Sequence, residues 1–134
     1  IGSVQLKKWP QIEGTRIDNA KHFVDLFSNK PFLRIQQIVG ESSWFTFGMV
    51  LDGELKGRRA EIVKALDEAG IQNRPLASRN FLKQPVMRDL DYIASDEMTA
   101  ADDIHDNGFF VGNGSKDIRD ELDQLYIVIH SFCK

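Results

Sequence analysis

Apolar residues recur every three or four positions in three parts of the chain, the spacing of an amphipathic helix. The first part runs from near the start to about Ser28, and Pro10 is expected to interrupt it because proline lacks a backbone N–H. The second, from Gly57 to Ala69, precedes Gly70, where a left-handed residue would end a helix. The third is the closing stripe formed by Ile118, Leu122, Leu125, Ile129 and Phe132.

Extended segments separate these helices. Ser43 to Leu51 is rich in aromatic and β-branched residues and ends at Asp52-Gly53, which predicts a strand covered on both faces. The short apolar stretch at 32–39 suits an edge strand, 71–75 is either a short strand or the extended entry to a loop, and 109–111 is a strand. Strict alternation assigns one face of the main strand to Trp44, Thr46, Gly48 and Val50, and the other to Phe45, Phe47, Met49 and Leu51.

Cap signals complete the order of elements. Thr99 and Asp102 have capping-box spacing for a short helix that ends at Asn107-Gly108, and Ser115 is suited to cap the last helix. The aspartates at 102, 103 and 106 are otherwise expected to be solvated. The order is helix, strand, helix, strand, loop, helix, strand, helix. It predicts an α+β fold, a small, mainly antiparallel sheet with helices packed on one face.

Composition excludes several classes of function. The 134 residues carry 17 basic and 20 acidic side chains, so the basic stripe of a nucleic-acid-binding protein is not expected. A single cysteine, Cys133, permits no internal disulfide and suits the cytoplasm. No apolar run approaches the roughly 18 residues of a membrane span, and the histidines lack metal-site spacing. Because the sequence begins with isoleucine rather than methionine, we expect a piece of a longer protein.

The segment from 74 to 85 concentrates groups that bind anions and sugars. Arginine offers a planar fork of donors for phosphate or carboxylate, and amides both donate and accept hydrogen bonds, as sugar hydroxyls require. A phosphorylated sugar would suit this set. The alternative, which composition alone favours, is a surface loop whose cations pair with acidic neighbours. The side chains concerned are Arg74, Arg79, Asn80, Phe81, Lys83 and Gln84.

The stretch IHDNGFFVGN, from 104 to 113, also has two explanations. In the first it is only a strand between glycine turns, with Phe109 and Val111 in the core and Phe110 on the other face. In the second, Phe110, Asn113 and His105 face a pocket, but the residues alone favour the first explanation. No nucleophile with a base and an orienting group is evident. The residues alone therefore lead to a soluble α+β domain and leave contact with an anion or a sugar open.

The order of several segments resembles the C-terminal small domain of the DegT/DnrJ/EryC1/StrS family, enzymes of the pyridoxal-phosphate (PLP) type that act on nucleotide-linked keto-sugars. The resemblance covers essentially the whole chain. It implies the C-terminal domain of a fold-type-I PLP enzyme, with residues 1–30 as an interdomain helical segment and 31–134 as the small α+β domain. The segments are SWFTFGMVL, RRAEIVKALDEAGIQNRP, RNFLKQPVM, ADDIHDNGFFVGN and the closing amphipathic helix.

Two segments favour one branch of the family. NFLKQP, at 80–85, differs from the Leu-His-x-Gln-Pro type of the sugar aminotransferases and, with HDNGFFVGN, is more similar to the nucleotide-sugar 3-dehydratases of lipopolysaccharide O-antigen biosynthesis. The resemblance implies a nucleotide-linked 4-keto-6-deoxyhexose as substrate, with GDP-4-keto-6-deoxymannose as the first candidate. It implies PLP or its pyridoxamine form (PMP) as cofactor. The family's Gly-Asn turn is often followed by histidine, but Gly114 follows Asn113 here, so no role of that histidine is transferred.

The resemblance also implies what the chain lacks. The family's cofactor domain supplies the catalytic lysine or histidine and has no match here, so we expect no catalytic residue, no activity and no tight PLP or PMP binding by this chain alone. The expected partners are the missing N-terminal domain and a second subunit of a homodimer. A sugar aminotransferase and a non-catalytic binding module remain alternatives. Expected on the substrate side are Arg74, Asn80, Phe81, Phe110 and Asn113.

Overall fold

The computed structural model describes residues 2–77, 80–94 and 97–134. Arg79 of the predicted cationic loop lies outside these residues. The helices are α1 (Gly2–Phe27), α2 (Arg59–Glu68), α3 (Thr99–Asn107) and α4 (Arg119–His130), and the strands are β1 (Leu33–Ile35), β2 (Thr46–Leu51), β3 (Asn73–Pro75) and β4 (Gly108–Gly112). Short 3₁₀ turns cover Gly53–Leu55, Phe81–Lys83 and Pro85–Asp89.

The strands form one sheet in the order β1-β2-β4-β3, and every neighbouring pair is antiparallel. This confirms the predicted α+β fold. In the centre of the sheet, Phe47 pairs with Val111 and Met49 with Phe109, and all four side chains are buried. Helices α1, α2 and α4 cover this face, since their buried apolar residues belong to the same core cluster. We call the opposite side of the sheet its outer face.

Helix α1 is continuous, so the predicted interruption at Pro10 is wrong. Proline removes one intrahelical hydrogen bond, and because residues 2–11 are all exposed, water can hydrate the freed carbonyl group. Further along, the helix enters the core. Ala20, Phe23 and Phe27 are buried, and the Phe23 ring stacks on that of Phe47 with centroids 4.4 Å apart.

The start of the main strand departs from strict alternation. Trp44 has a φ of +47°, outside the extended region, and β2 begins only at Thr46. The change of direction turns the Trp44 ring into the core beside Phe23 and Phe47, whereas Phe45 is 75% exposed. The predicted faces are therefore wrong for Trp44 and Phe45, because one positive φ breaks the period of two on which alternation depends.

Two predicted caps are also wrong. Thr99 is the first helical residue of α3 rather than its cap, and Met98 occupies the cap position without a side-chain hydrogen bond. Helix α4 begins at Arg119, four positions beyond Ser115. There the carboxylate of Asp117 accepts the backbone N–H of Arg119 at 3.2 Å. A cap motif predicts that a helix starts nearby, but the backbone geometry decides which residue occupies the cap.

Other predictions from the pattern are confirmed. Gly70 follows α2 with a φ of +76°, and α3 ends at Asn107. The closing stripe of α4 faces the core through Leu122, Leu125 and Ile129. Among the described residues, no helix is both long enough and apolar enough to cross a membrane.

Candidate functional site

Three residues form a row across the outer face of the sheet. Gly48 of β2 pairs with Phe110 of β4, and Phe110 pairs with Arg74 of β3. Paired residues on neighbouring strands direct their side chains to the same face. Phe109 and Val111 are 1% and 5% exposed and point into the core, as predicted, so Phe110 faces outward.

Arg74 is exposed, and its pairing with Phe110 places its side chain on the outer face. Within the described part of the chain it has no hydrogen-bond or ion-pair partner. An arginine fork can donate two parallel hydrogen bonds to a phosphate or carboxylate. The space above Gly48 is filled, since a Cβ atom there would lie 3.2 Å from Gln36 Oε1 and 3.4 Å from Leu76. Within the row, Arg74 and Phe110 can therefore receive an anionic ligand with a flat or apolar part.

An apolar cleft of about 830 Å³ lies beside this row and shares Gly48 with it. Leu76, which follows β3, folds back over the outer face and lines the cleft with Val50 and with Ile104 of α3. Two glycines make room for Leu76, since a Cβ atom would lie 3.4 Å from it at Gly48 and 2.7 Å from it at Gly108. This packing holds the residue after β3 against the outer face.

Phe81 and Asn80 are adjacent but differ in environment. Phe81 lies in a 3₁₀ turn and is 50% exposed, whereas Asn80 is 4% exposed. The side-chain oxygen of Asn80 accepts the Leu82 N–H at 3.0 Å, and its Nδ2 donates to Asp102 Oδ1 at 2.8 Å. Lys83 Nζ lies 2.8 Å from the same oxygen. Hydrogen bonds within the fold therefore hold the Asn80 amide, while the Phe81 side chain remains half-exposed to solvent.

Asn113 directly follows the C-terminal end of β4 and is 3% exposed. Its Nδ2 donates to the carbonyl groups of Trp44 at 2.8 Å and Arg16 at 3.0 Å, and its Oδ1 accepts from Asn19 Nδ2 at 3.0 Å. This amide joins α1 to the strands. The structure thus brings Arg74 and Phe110 together and gives Asn113 an interior position. Substrate contact by the five predicted residues stays a prediction.

Sequence reasoning missed two carboxylates on α3. Hydrogen bonds from Lys83, and then from Asn80, lower the pKa of Asp102, and the same contact raises the pKa of Lys83. The pKa of Asp103 is lowered chiefly by Lys56, 3.0 Å away. The Asp103 side chain is only 17% exposed, so the expectation that it is simply solvated is wrong. Spacing along the chain gave no sign of these ion pairs, because Lys83 and Lys56 are remote from α3 in sequence.

The lysines beside α3 do not fit a PLP site. A PLP enzyme that forms a Schiff base needs an amine that can lose its proton. Lys83 and Lys56 are each paired with an aspartate, and the hydrogen bond to Asp102 raises the pKa of Lys83, which favours the charged amine. Among the described residues, no group of three or more His, Cys, Asp or Glu side chains could hold a metal ion.

The sheet, its covering helices and the order of motifs together define a class of protein. The chain belongs to the DegT/DnrJ/EryC1/StrS aminotransferase family, whose sequence model matches residues 1–126. The resemblance inferred from the sequence is thereby confirmed.

Within this family the chain is similar to GDP-4-keto-6-deoxy-D-mannose 3-dehydratase. It is 43% identical to that of Yersinia pseudotuberculosis over 96% of the chain and 33% of the relative. For that of Escherichia coli O55:H7 the identity is 39%, over 96% of the chain and 34% of the relative. An E. coli structure of this enzyme, with bound hydrated PLP, superposes with a TM-score of 0.87 at 39% identity, over 95% of this chain and 33% of that one. The chain thus spans about a third of the length of these relatives.

The fold is shared more widely than the sequence. PseC of Helicobacter pylori, an aminotransferase of pseudoaminic acid biosynthesis, superposes with a TM-score of 0.82 over 98% of this chain and 35% of that one, at 15% identity. At such identity the likeness shows the fold alone.

Proposed function

We propose that this chain is the C-terminal domain of a nucleotide-sugar 3-dehydratase that uses PMP or PLP and acts on GDP-4-keto-6-deoxymannose. The observation that carries the proposal is the 43% identity to GDP-4-keto-6-deoxy-D-mannose 3-dehydratase over 96% of the chain. The aminotransferase PseC has the same fold at 15% identity. In the wider pathway, the product serves deoxysugar synthesis for lipopolysaccharide O-antigen in the cytoplasm.

The outer face supplies the proposed contacts with the sugar nucleotide. Arg74 donates to an anionic or carbonyl oxygen of the ligand, and Phe110 and Phe81 offer apolar surface to its rings. Asn80 and Asn113 are buried, and we propose that they support this site indirectly, through internal hydrogen bonds that keep the neighbouring backbone in place. A homologous dehydratase variant has been crystallised with GDP-perosamine, a GDP-linked sugar, which supports this class of ligand.

In the proposed parent enzyme, residues 1–30 connect the small domain to the cofactor domain. The exposed first turns of α1 support this role, because Leu6 and Trp9 are 74% and 39% exposed. Apolar side chains in such a position commonly mark a surface that another part of the protein covers. The cofactor domain and a second subunit are the proposed partners of this surface.

The function is tested on the full-length enzyme by visible absorption with added PLP, before and after borohydride reduction, and by turnover of GDP-4-keto-6-deoxymannose. A dehydratase is expected to bind the cofactor without retaining it covalently after reduction, and to eliminate the C3 hydroxyl. Covalent retention would identify a catalytic lysine and favour the aminotransferase alternative. An enzyme that neither binds PLP nor converts the sugar would favour a non-catalytic binding module.

The contact of Arg74 is tested by Arg74→Ala in the same enzyme. We expect the KM for the sugar nucleotide to rise about 10-fold or more, since an arginine–anion hydrogen bond is among the stronger polar contacts. Arg119→Ala is the matched control, because it also removes a surface guanidinium, but one already paired with Asp117. An equal KM for the two variants would contradict the proposed role.

A further inference from the structure

Two adjacent aspartates of α3 make contacts with different parts of the chain. Consecutive helical residues are separated by about 100° around the axis. Asp103 binds Lys56, in the loop after β2, and Arg34 of β1, so it fastens α3 to the body of the domain. Asp102, one position earlier, binds the segment that begins at Asn80. Helix α3 therefore links the sheet to that segment.

Asp102 holds this segment at two points, on either side of Phe81. Its Oδ1 accepts from Asn80 Nδ2 and from Lys83 Nζ, both at 2.8 Å. Asn80 is almost fully buried and also accepts the N–H of Leu82, which caps the turn. We call Asn80, Lys83 and Asp102 the Asp102 clamp. It fixes the two ends of the turn that carries Phe81.

We propose that Asp102 is a positioning residue, which sets the affinity for the sugar nucleotide by holding the turn that presents Phe81. The inference rests on the proposed function, in which Phe81 contacts the ligand. Phe81 is half-exposed and is not part of the hydrophobic core, so the backbone of the turn determines where its ring lies. Without the clamp, the turn keeps its chain connections and the longer ion pair between Lys83 and Asp106, but loses both bonds to Asp102.

The experiment uses the full-length enzyme with GDP-4-keto-6-deoxymannose. We expect Asp102→Asn to raise KM about tenfold, the size expected for loss of a charge-assisted hydrogen bond, and to change kcat much less. Asp102→Glu, which keeps the carboxylate, is expected to recover part of the affinity. Asp106→Asn is the matched control. It makes the same charge change on the same helix, but the nearest Asp106 oxygen lies 3.9 Å from Lys83 Nζ.

Phe81→Ala tests whether Asp102 acts through the aromatic ring. If it does, Asp102→Asn adds little to KM in the Phe81→Ala background, because the ring that Asp102 positions is already absent. An equal rise in KM in both backgrounds would overturn the inference, and so would an Asp102→Asn enzyme indistinguishable from Asp106→Asn. If wild-type enzyme neither binds nor converts the sugar nucleotide, the proposed function fails and this inference fails with it. If the wild-type enzyme is active but Asp102→Asn leaves KM unchanged, this inference fails while the proposed function stands.

Discussion

At the scale of single residues, two asparagines show how a polar side chain can organise a core. Asn19 and Asn113 are 1% and 3% exposed and bind each other across 94 positions of sequence. Asn19 also donates to the carbonyl of Lys116 and accepts the N–H of Ile118. Buried amides are tolerated only when their donors and acceptors are satisfied. This pair therefore fixes the position of α1 relative to the turn before α4.

We expect Asn113→Ala to lower the free energy of unfolding by about 2–3 kcal/mol, because buried partners lose their hydrogen bonds. The groups left behind are the carbonyls of Arg16 and Trp44 and the amide of Asn19. Urea unfolding followed by circular dichroism measures the change. Asn73→Ala is the control, since Asn73 binds only an exposed partner and a nearby carbonyl. Equal losses in the two variants would contradict the structural role of Asn113.

A second residue-scale prediction concerns the turn from α3 into β4. A Cβ atom at Gly108 would lie 2.4 Å from the carbonyl oxygen of Ile104, so Gly108→Ala must displace the backbone. We expect a loss of about 1–3 kcal/mol in the free energy of unfolding. Gly112→Ala, in the same strand, has no neighbour within 4 Å and is expected to cost nothing. The same urea measurement compares them, and similar stabilities would show that the turn can adapt.

At the scale of elements, α3 is held mainly by polar contacts rather than by a buried apolar stripe. Asn107 is its buried residue, and the Asn107 side chain accepts the N–H of Gly57 and donates to Asp103. Asp103 also binds Lys56 and Arg34. Charged contacts of this kind depend on protonation, so the attachment of α3 is expected to depend on pH.

The pKa of Asp103 is lowered in the fold, first by its hydrogen bond from Lys56 and then by Arg34 and Asn107. The unfolded chain therefore takes up a proton at higher pH than the native chain. The contribution to stability is present above the usual value of 3.8 and is lost as pH falls through the lowered native value. We expect Asp103→Asn to flatten this acid dependence.

Urea unfolding at about pH 6, 4 and 3 tests this expectation. The free energy of unfolding of the wild-type chain should fall more steeply with acid than that of Asp103→Asn. The Asp106→Asn variant controls for the change in net charge on the same helix. Parallel curves for wild type and Asp103→Asn would show that the Asp103 contacts do not stabilise the fold.

At the scale of the whole molecule, α1 has two parts with different roles. Residues 2–11 are all exposed, whereas Ala20, Phe23 and Phe27 belong to the core. The helix therefore extends beyond the body of the domain that it helps to build. Its exposed apolar side chains suit contact with another part of a larger protein, as the proposed function requires.

Deletion of residues 2–11 is expected to change the free energy of unfolding of the chain by less than about 0.5 kcal/mol, because surface segments contribute little. Phe23→Ala is expected to cost about 3–5 kcal/mol, as for other fully buried aromatic residues. The deletion also removes Trp9, so the fluorescence of Trp44 alone then follows unfolding. A loss of several kcal/mol on deletion would show that the first turns of α1 pack against the domain.

The candidate site was only partly predictable. The period-two pattern placed Phe110 opposite Phe109 and Val111, and the register confirms that Phe110 faces outward beside Arg74. The interior positions of Asn80 and Asn113 could not be inferred, because their partners are remote in sequence. A side chain that is polar in the sequence gives no sign of whether it meets water, a ligand or another part of the chain.

The sequence by itself determined the four helices, the main strand, the buried stripe of α4 and the family, because periodicity and turn residues act within short segments. The predicted order counted one strand between the first two helices, where the structure has β1 and β2. The tertiary structure alone decided the inward turn of Trp44 and the partners of Asp102 and Asp103. The tertiary structure also decided the hydrogen bond between Asn19 and Asn113. Such features depend on backbone direction and on contacts between distant segments, which form only when the whole chain packs.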